Sequence, residues 1–306
     1  MIQKQQKKLK NKKVEILGTI QGRCDEMSQP HTKIGGCADS EGTTRTLFFT
    51  NNDTLFDADG ELFEKELSEG VYKSGAGRVI PVNNLIDVAN EGGDLNVSQK
   101  GWGPPMPTGL NSFRQNYVIR VGVDCLFKQL SKMNKMSLRV IRLDEKSIAY
   151  RTAITSSGKL KTRGFALDSV YVELIEATAS DPAEIHLSLF YSANYEKEKI
   201  NKHSTFVNDE IEGLTGVFLE RGSAAGKAKV RVVCSGDDIT SIHGSKFATA
   251  NLYQNPTGGS PNKVEYANGE LTFTPAAEKY RILDAAKLKT ALIEGLEGEN
   301  MYTDLT

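Results

Sequence analysis

Apolar residues recur with two different periods along this chain, and the change of period falls near residue 135. Val123, Leu126, Phe127 and Leu130 stand at i, i+3, i+4 and i+7. That spacing stacks them on one face and predicts a helix over 122–134. The period then becomes two. Leu138, Val140 and Ile148 open a strand-rich tract. Val170, Val172 and Leu174 alternate with Tyr171, Glu173 and Ile175, which predicts a strand covered on both faces. Ile185, Leu187, Leu189 and Tyr191 alternate with His186, Ser188 and Phe190. Between Ile154 and Leu160, Ser156-Ser157-Gly158 reads as a hairpin turn.

From 14 to about 113 the chain is rich in Gly, Asn, Asp and Thr, and short apolar runs are set apart by turn residues. Two such runs are Thr46-Leu47-Phe48-Phe49 and Arg78-Val79-Ile80-Pro81-Val82. Residues 90–112 read as a long surface loop, because the three prolines of Gly101-Trp102-Gly103-Pro104-Pro105-Met106-Pro107 remove donors and fix φ. Loops of that length commonly make contacts.

A boundary falls in the polar stretch Asn201 to Gly213. Beyond it, strand signals appear at Gly216–Leu219, Lys227–Cys234, Thr249–Tyr253, Lys263–Ala267 and Glu270–Thr274. Asn268-Gly269 suits a two-residue type I′ turn, in which both positions need φ > 0. That register sets Tyr266 opposite Leu271 and Val264 opposite Phe273, all on one face. A last helix is predicted over 285–294, capped by Asp284 and ended by Gly295. The reading is a mainly β chain in three parts: a basic flexible arm (1–13), a β-rich core domain (14–205) and a small C-terminal β-sandwich domain with a closing helix (206–306).

Charge sharpens the picture at one end. The net charge is −1, yet residues 1–13 hold Lys4, Lys7, Lys8, Lys10, Lys12 and Lys13 and no acid, which leaves −7 on residues 14–306. Such an arm suits electrostatic contact with an acidic partner or nucleic acid; its plain alternative is a solvated terminus. The arm has no aromatic residue to stack on bases. No stretch approaches the roughly 20 apolar residues that cross a bilayer. Residues 14–20 are too short and too charged for an export signal, so neither membrane insertion nor export is expected. Cys24, Cys37, Cys125 and Cys234 show no framework spacing and are expected to be reduced thiols.

Candidate chemistry is sparse. Asp57-Ala58-Asp59-Gly60-Glu61 opens like a calcium loop, but Gly60 comes at the fourth position and Ser68 stands at the twelfth, so it reads as a surface turn. Cys24, His31 and Cys37 lack the tight pairing of a zinc site. His186, His203 and His243 have no sequence partner for a triad, and no nucleophile elbow, zincin motif or phosphate loop occurs. Gly75-Ala76-Gly77 lacks the third glycine of a dinucleotide fingerprint. Asp237-Asp238 looks like a turn. No catalytic, cofactor or metal residue is therefore expected.

The run from Cys125-Leu126-Phe127-Lys128-Gln129-Leu130 through Gly164-Phe165-Ala166-Leu167-Asp168-Ser169-Val170-Tyr171-Val172-Glu173 resembles structural proteins of tailed bacteriophages, particularly tail-tube-like subunits. Gly216-Val217-Phe218-Leu219 and Lys279-Tyr280-Arg281-Ile282 look like the small β-sandwich modules such virion proteins append. The resemblance spans about 125–295 and carries over no site residue. It implies a β-sandwich or β-barrel core with a flanking helix, a non-enzymatic role and partners that are copies of itself and other virion proteins. It also implies location in the virion after synthesis in a host cytoplasm. On this reading Trp102 and Met106 are the apolar anchors of an assembly contact in the 90–112 loop. The competing readings are a carbohydrate-binding or adhesin-like β-sandwich and an enzyme. The single Trp speaks against the first of these and the lack of a compact constellation against the second.

Overall fold

Alternation of apolar and polar side chains makes half-buried strands, and here it makes a great many of them. The computed structural model describes residues 42–57, 60–99, 101–192, 199–203, 210–276 and 278–306. Strand exceeds helix threefold, 45% against 15%, so the chain is mainly β. Residues 43–306 form one compact unit with two lobes of separate hydrophobic core.

The first lobe runs through β1 (Thr44–Thr50), β2 (Phe56–Asp57), α1 (Gly60–Gly70), β3 (Val79–Val82), β4 (Leu85–Gly92), β5 (Leu95–Ser98), β6 (Met106–Leu110) and β7 (Phe113–Ile119). It continues with α2 (Val123–Leu130), β8 (Arg139–Asp144), β9 (Ile148–Ser156), β10 (Lys159–Arg163), β11 (Phe165–Ile175), β12 (Glu184–Tyr191) and β13 (Lys199–His203). Eleven of these strands form one sheet with the path β2-β10-β9-β8-β11-β12-β7-β4, to which β1, β3 and β13 attach at the sides. The sheet curls into a half-barrel. Its concave side holds Phe49, Tyr117, Val140, Tyr150, Phe165 and Leu187, with α2 laid across through Leu126, Phe127 and Leu130. On the other side α1 covers a second cluster of Phe48, Phe56, Ile141 and Leu143 through its own Phe63 and Leu67.

The second lobe comprises β14 (Thr215–Arg221), β15 (Lys227–Val232), α3 (Thr240–His243), β16 (Tyr253–Gln254), β17 (Lys263–Ala267) and β18 (Glu270–Thr274). After them come β19 (Lys279–Ile282), α4 (Ala285–Thr290), β20 (Leu296–Gly298) and β21 (Thr303–Asp304). A five-stranded sheet, β17-β18-β15-β14-β20, faces a three-stranded one, β16-β19-β21. Both sheets feed one core: Val217, Leu219 and Phe273 from the first, Tyr253, Tyr280 and Ile282 from the second. Phe273 lies edge-on to Tyr253 at 4.8 Å and stacked with Tyr280 at 5.1 Å. The Asn268-Gly269 turn has φ of 52° and 78°, and it pairs Tyr266 with Leu271 and Val264 with Phe273.

Several expectations need correction. The helix expected over 122–134 is α-helical to Leu130 and 3₁₀ from Ser131 to Met133. The last helix, capped by the Asp284 carboxylate on the Lys287 N–H at 3.2 Å, ends at Thr290 and not at 294. Leu292 turns left-handed at φ 59°, which swings Ile293 into the core, and two short strands follow. Residues 249–253 are mostly 3₁₀ turn, because adjacent Leu252 and Tyr253 are both buried, which no single strand face allows. The β11 strand is covered on one face only, with Tyr171 and Ile175 exposed. Part of the polar stretch after Asn201 is strand β13, paired antiparallel with β9. The 90–112 loop contains the β5–β6 ribbon. Pro107 is tolerated there because a two-stranded ribbon leaves one edge of each strand unpaired.

Candidate assembly surface

The β5–β6 ribbon is built from its base outward. Gly92 and Gly93 sit at φ 75° and 78°, and a Cβ at Gly92 would meet the Ser112 carbonyl oxygen at 2.0 Å. Glycine is what lets the two segments cross so closely there. The Asn111 N–H donates to the Asp94 carbonyl at 2.9 Å and closes the base. Pairing then runs Asn96 with Gly109, Val97 with Pro107 and Ser98 with Met106, and the Thr108 hydroxyl donates to the Asn96 carbonyl at 3.2 Å. At the tip the Gln99 amide donates to the Gly103 carbonyl at 3.0 Å.

This ribbon carries the largest exposed apolar side chain of the molecule. Trp102 is 105% exposed, with Met106 at 66% and Val97 at 53%. Trp is highly buried on average, so a wholly exposed one stands out. The structure thus brings Trp102 and Met106 onto one arm. Lys4, Lys7, Lys8, Lys10, Lys12 and Lys13 lie outside the described residues, as do Cys24, His31, Cys37 and Asp59.

Inside the half-barrel is a polar hub that sequence reading missed. Gln115, 4% exposed, offers its Oε1 to three donors: Arg142 Nη1 at 2.9 Å, Tyr117 OH at 2.8 Å and Tyr191 OH at 2.6 Å. Its Nε2 donates to Asn90 Oδ1 at 2.9 Å. The Arg142 guanidinium lies 5.2 Å from the Phe165 ring centroid and 5.6 Å from that of Tyr150. Fully buried Asp144 accepts from the Ile148 N–H at 2.8 Å and the Tyr150 hydroxyl at 2.8 Å. Arg151, also buried, sits 3.9 Å from the Phe63 ring, and burial pushes its pKa down to about 10 against the pull of Glu64. These contacts bind strands β4, β7, β8, β9 and β12 to one another.

The other titratable candidates are scattered. Asp57 pairs with Lys161 at 2.9 Å, and its N–H donates to Glu66 at 2.6 Å. His186 meets Glu184 at 3.3 Å, and His243 lies edge-on to Phe247. Asp238 receives the Thr240 N–H at 3.0 Å and pairs with Lys229 at 3.1 Å. Among the described residues no group of three or more His, Cys, Asp or Glu could hold a metal ion. No helix among them is long and apolar enough to cross a membrane.

A cleft of about 480 Å³ separates the lobes, floored by Val79, Leu126, Leu130, Met133 and Leu214. Arg78 and Glu297 cross it as a bidentate ion pair, with Nη2 to Oε2 at 2.6 Å. The hydrogen bonds that Arg78 donates to Glu297 hold the Arg78 pKa above its ordinary value. Beside it Gln129 donates to Glu299 at 3.4 Å. Cys125 and Cys234 form a disulfide between the lobes, which corrects the expectation of reduced thiols for these two residues. The fold brings their Cα atoms to 5.4 Å across a sequence separation of 109, a proximity no local spacing could announce.

Comparison of the chain with protein-family models, with curated proteins and with solved structures finds no match.

Proposed function

We propose that this chain is a non-enzymatic structural subunit of a tailed-phage particle, a tail, neck or tube component that builds rings or tubes from copies of itself. The observation that carries the reading is Trp102, wholly exposed on a protruding ribbon with Met106 and Val97 beside it. Burying a Trp side chain removes about 150–250 Å² from water. At about 25 cal/mol per Å² that is roughly 4–6 kcal/mol before the cost of ordering the partners. An isolated monomer forgoes that gain; a neighbouring subunit recovers it. A sheet path that ends at β4 offers a second surface, since an edge strand presents unpaired backbone groups for strand addition.

An arm on one copy meeting a different surface on the next makes a head-to-tail contact, which closes into rings or runs on as tubes. The six lysines of residues 1–13 supply a salt-sensitive attraction to an acidic partner or nucleic acid. The site of action is the virion, following synthesis in the host cytoplasm. Electron microscopy of the source particle tests the reading: the chain is expected as repeated copies around a symmetry axis, and a single copy per particle contradicts it.

A second reading, a carbohydrate-binding or adhesin-like module, draws on the same residue, because an exposed Trp is a platform for a sugar ring. Glycan binding that Trp102→Ala abolishes, by a chain that stays monomeric, would favour it.

A further inference from the structure

We propose that Cys125 and Cys234 are a redox-operated clamp, which holds the lobes together across their cleft when oxidised and frees them when reduced. The inference goes beyond the assembly reading and does not depend on it. Among the described residues the lobes are stapled by the disulfide, by Arg78 to Glu297, by Gln129 to Glu299 and by Lys289, whose ammonium lies 4.1 Å from the Tyr72 ring, and only the first of these is covalent. Arg78 and Glu297 are each 27% exposed, so water and salt weaken their attraction. Gln129 to Glu299, at 3.4 Å, is a long hydrogen bond. Cys125 precedes Gln129 by four residues on α2, so the disulfide and this hydrogen bond leave the same face of the helix toward the second lobe. Without the sulfur link, the remaining contacts are the kind that open and close readily.

The chemistry of the pair suits reversible exchange. Cys234 lies on the surface just after β15, and Cys125 is partly exposed, so a solvent thiol reaches the bond. Cys125 stands in the first turn of α2, where the helix N-terminus stabilises a thiolate. Cys125 is therefore the better leaving group and Cys234 the atom attacked. A low-molecular-weight thiolate attacks the Cys234 sulfur. The bond to Cys125 breaks, Cys125 leaves as thiolate and takes a proton from water, and a mixed disulfide remains on Cys234. A second thiolate then attacks the sulfur of the attached small thiol, which releases a small-molecule disulfide and the Cys234 thiolate. Two electrons pass from the small thiols to the protein. Oxidation runs the same steps backward with a low-molecular-weight disulfide as oxidant.

Reduction loosens the cleft, which Leu126, Leu130 and Met133 of the first lobe line together with Gly216 and Gly298 of the second. A chain made in a reducing cytoplasm would thus keep its lobes mobile, and one moved to an oxidising environment would fix them.

Hydrogen exchange on the full-length protein tests the clamp, with one sample oxidised by oxidised glutathione and the other reduced by dithiothreitol. Reduction is expected to speed exchange roughly tenfold in segments 78–81, 126–136 and 297–300, and to leave β12 unchanged. Cys125→Ser and Cys234→Ser should exchange fast under both conditions. Reduced wild-type protein tests the clamp without any substitution, so a folding defect in a variant does not decide the matter. Equal exchange in oxidised and reduced wild type overturns the proposal. So does peptide mapping of the oxidised protein that joins either cysteine to Cys24 or Cys37.

Discussion

In the first lobe Arg142, Asp144, Arg151 and Gln115 are buried beneath an eleven-stranded curled sheet, whereas in the second only Thr240 and Glu270 stand among the buried polar residues. The difference follows from width. Two small facing sheets meet at about 10 Å and close with Val, Leu, Phe and Tyr alone. The half-barrel encloses a broader space, which long arginine stems and aromatic faces help to fill. Each buried charge then needs partners, and the Gln115 amide and the Asp144 loop provide them. Apart from Glu270, which the more exposed Lys227 reaches, the second lobe keeps its ion pairs at the rim: Lys229 with Asp238 and Lys279 with Asp304. One lobe is therefore specified by polar geometry and the other by apolar packing.

That contrast can be broken in order of expected effect. Phe273→Ala removes the ring between Tyr253 and Tyr280 and should cost the second lobe about 3–5 kcal/mol. Calorimetry should then resolve an early transition in which near-ultraviolet signal from the second lobe is lost first. Gln115→Leu keeps the volume but takes away the shared acceptor, at an expected cost of about 2–3 kcal/mol to the first lobe. If that variant melts like wild type, the hub is ornamental and the contrast is wrong. Gly269→Val forces a β-branched residue to φ 78° and should cost about 1–3 kcal/mol, read as a lowered denaturation midpoint.

Acid should separate the lobes more gently. Hydrogen bonds from Ser223 to Glu270, from Thr240 to Asp238 and from Thr306 to Asp304 hold these carboxyls below their ordinary pKa. Burial likewise lowers His243. Each group binds its proton less readily folded than unfolded, so its stabilisation is complete above the unfolded pKa and fades as pH falls through the folded one. The loss begins below the ordinary histidine range near pH 6.5 and deepens below the carboxylate range near pH 4. In the first lobe Arg151 is also lowered, but its window lies near pH 10 and above; in the acid range only Glu184, paired with Arg120 and His186, shows the same direction among the described residues. Amide spectra recorded down a pH series should therefore show second-lobe residues changing first.

The readable parts of the chain are those where a local rule decides the structure. The 263–274 hairpin was legible because Asn-Gly needs φ > 0 at both positions and thereby fixes the register. The 122–134 helix was legible because its apolar spacing has one interpretation. What escaped was set by distant residues. α1 hid behind the Asp/Gly reading of its start, although Phe63 and Leu67 stand at i, i+4 and both are buried. β11 was expected to be covered twice, but whether Tyr171 and Ile175 meet another layer depends on parts of the chain far away. The Gln115 hub and the Cys125–Cys234 link join residues far apart in sequence, which no window of neighbours contains. Of the proposed assembly surface, the sequence showed the two anchors Trp102 and Met106. It did not show that a ribbon carries them.

The smallest expected effect on stability belongs to the residue proposed as the anchor of assembly. Trp102→Ala removes a side chain with nothing packed on it and should shift stability by no more than about 0.5 kcal/mol. Because Trp102 is the only tryptophan, its fluorescence reports on that one site. Emission of the wild-type chain, followed from dilute solution into the concentration range where its mass increases, tests the central claim most directly. The account predicts a solvent-exposed, red emission in the monomer that moves to the blue in step with the rise in mass. Assembly that proceeds while the emission stays red would contradict it.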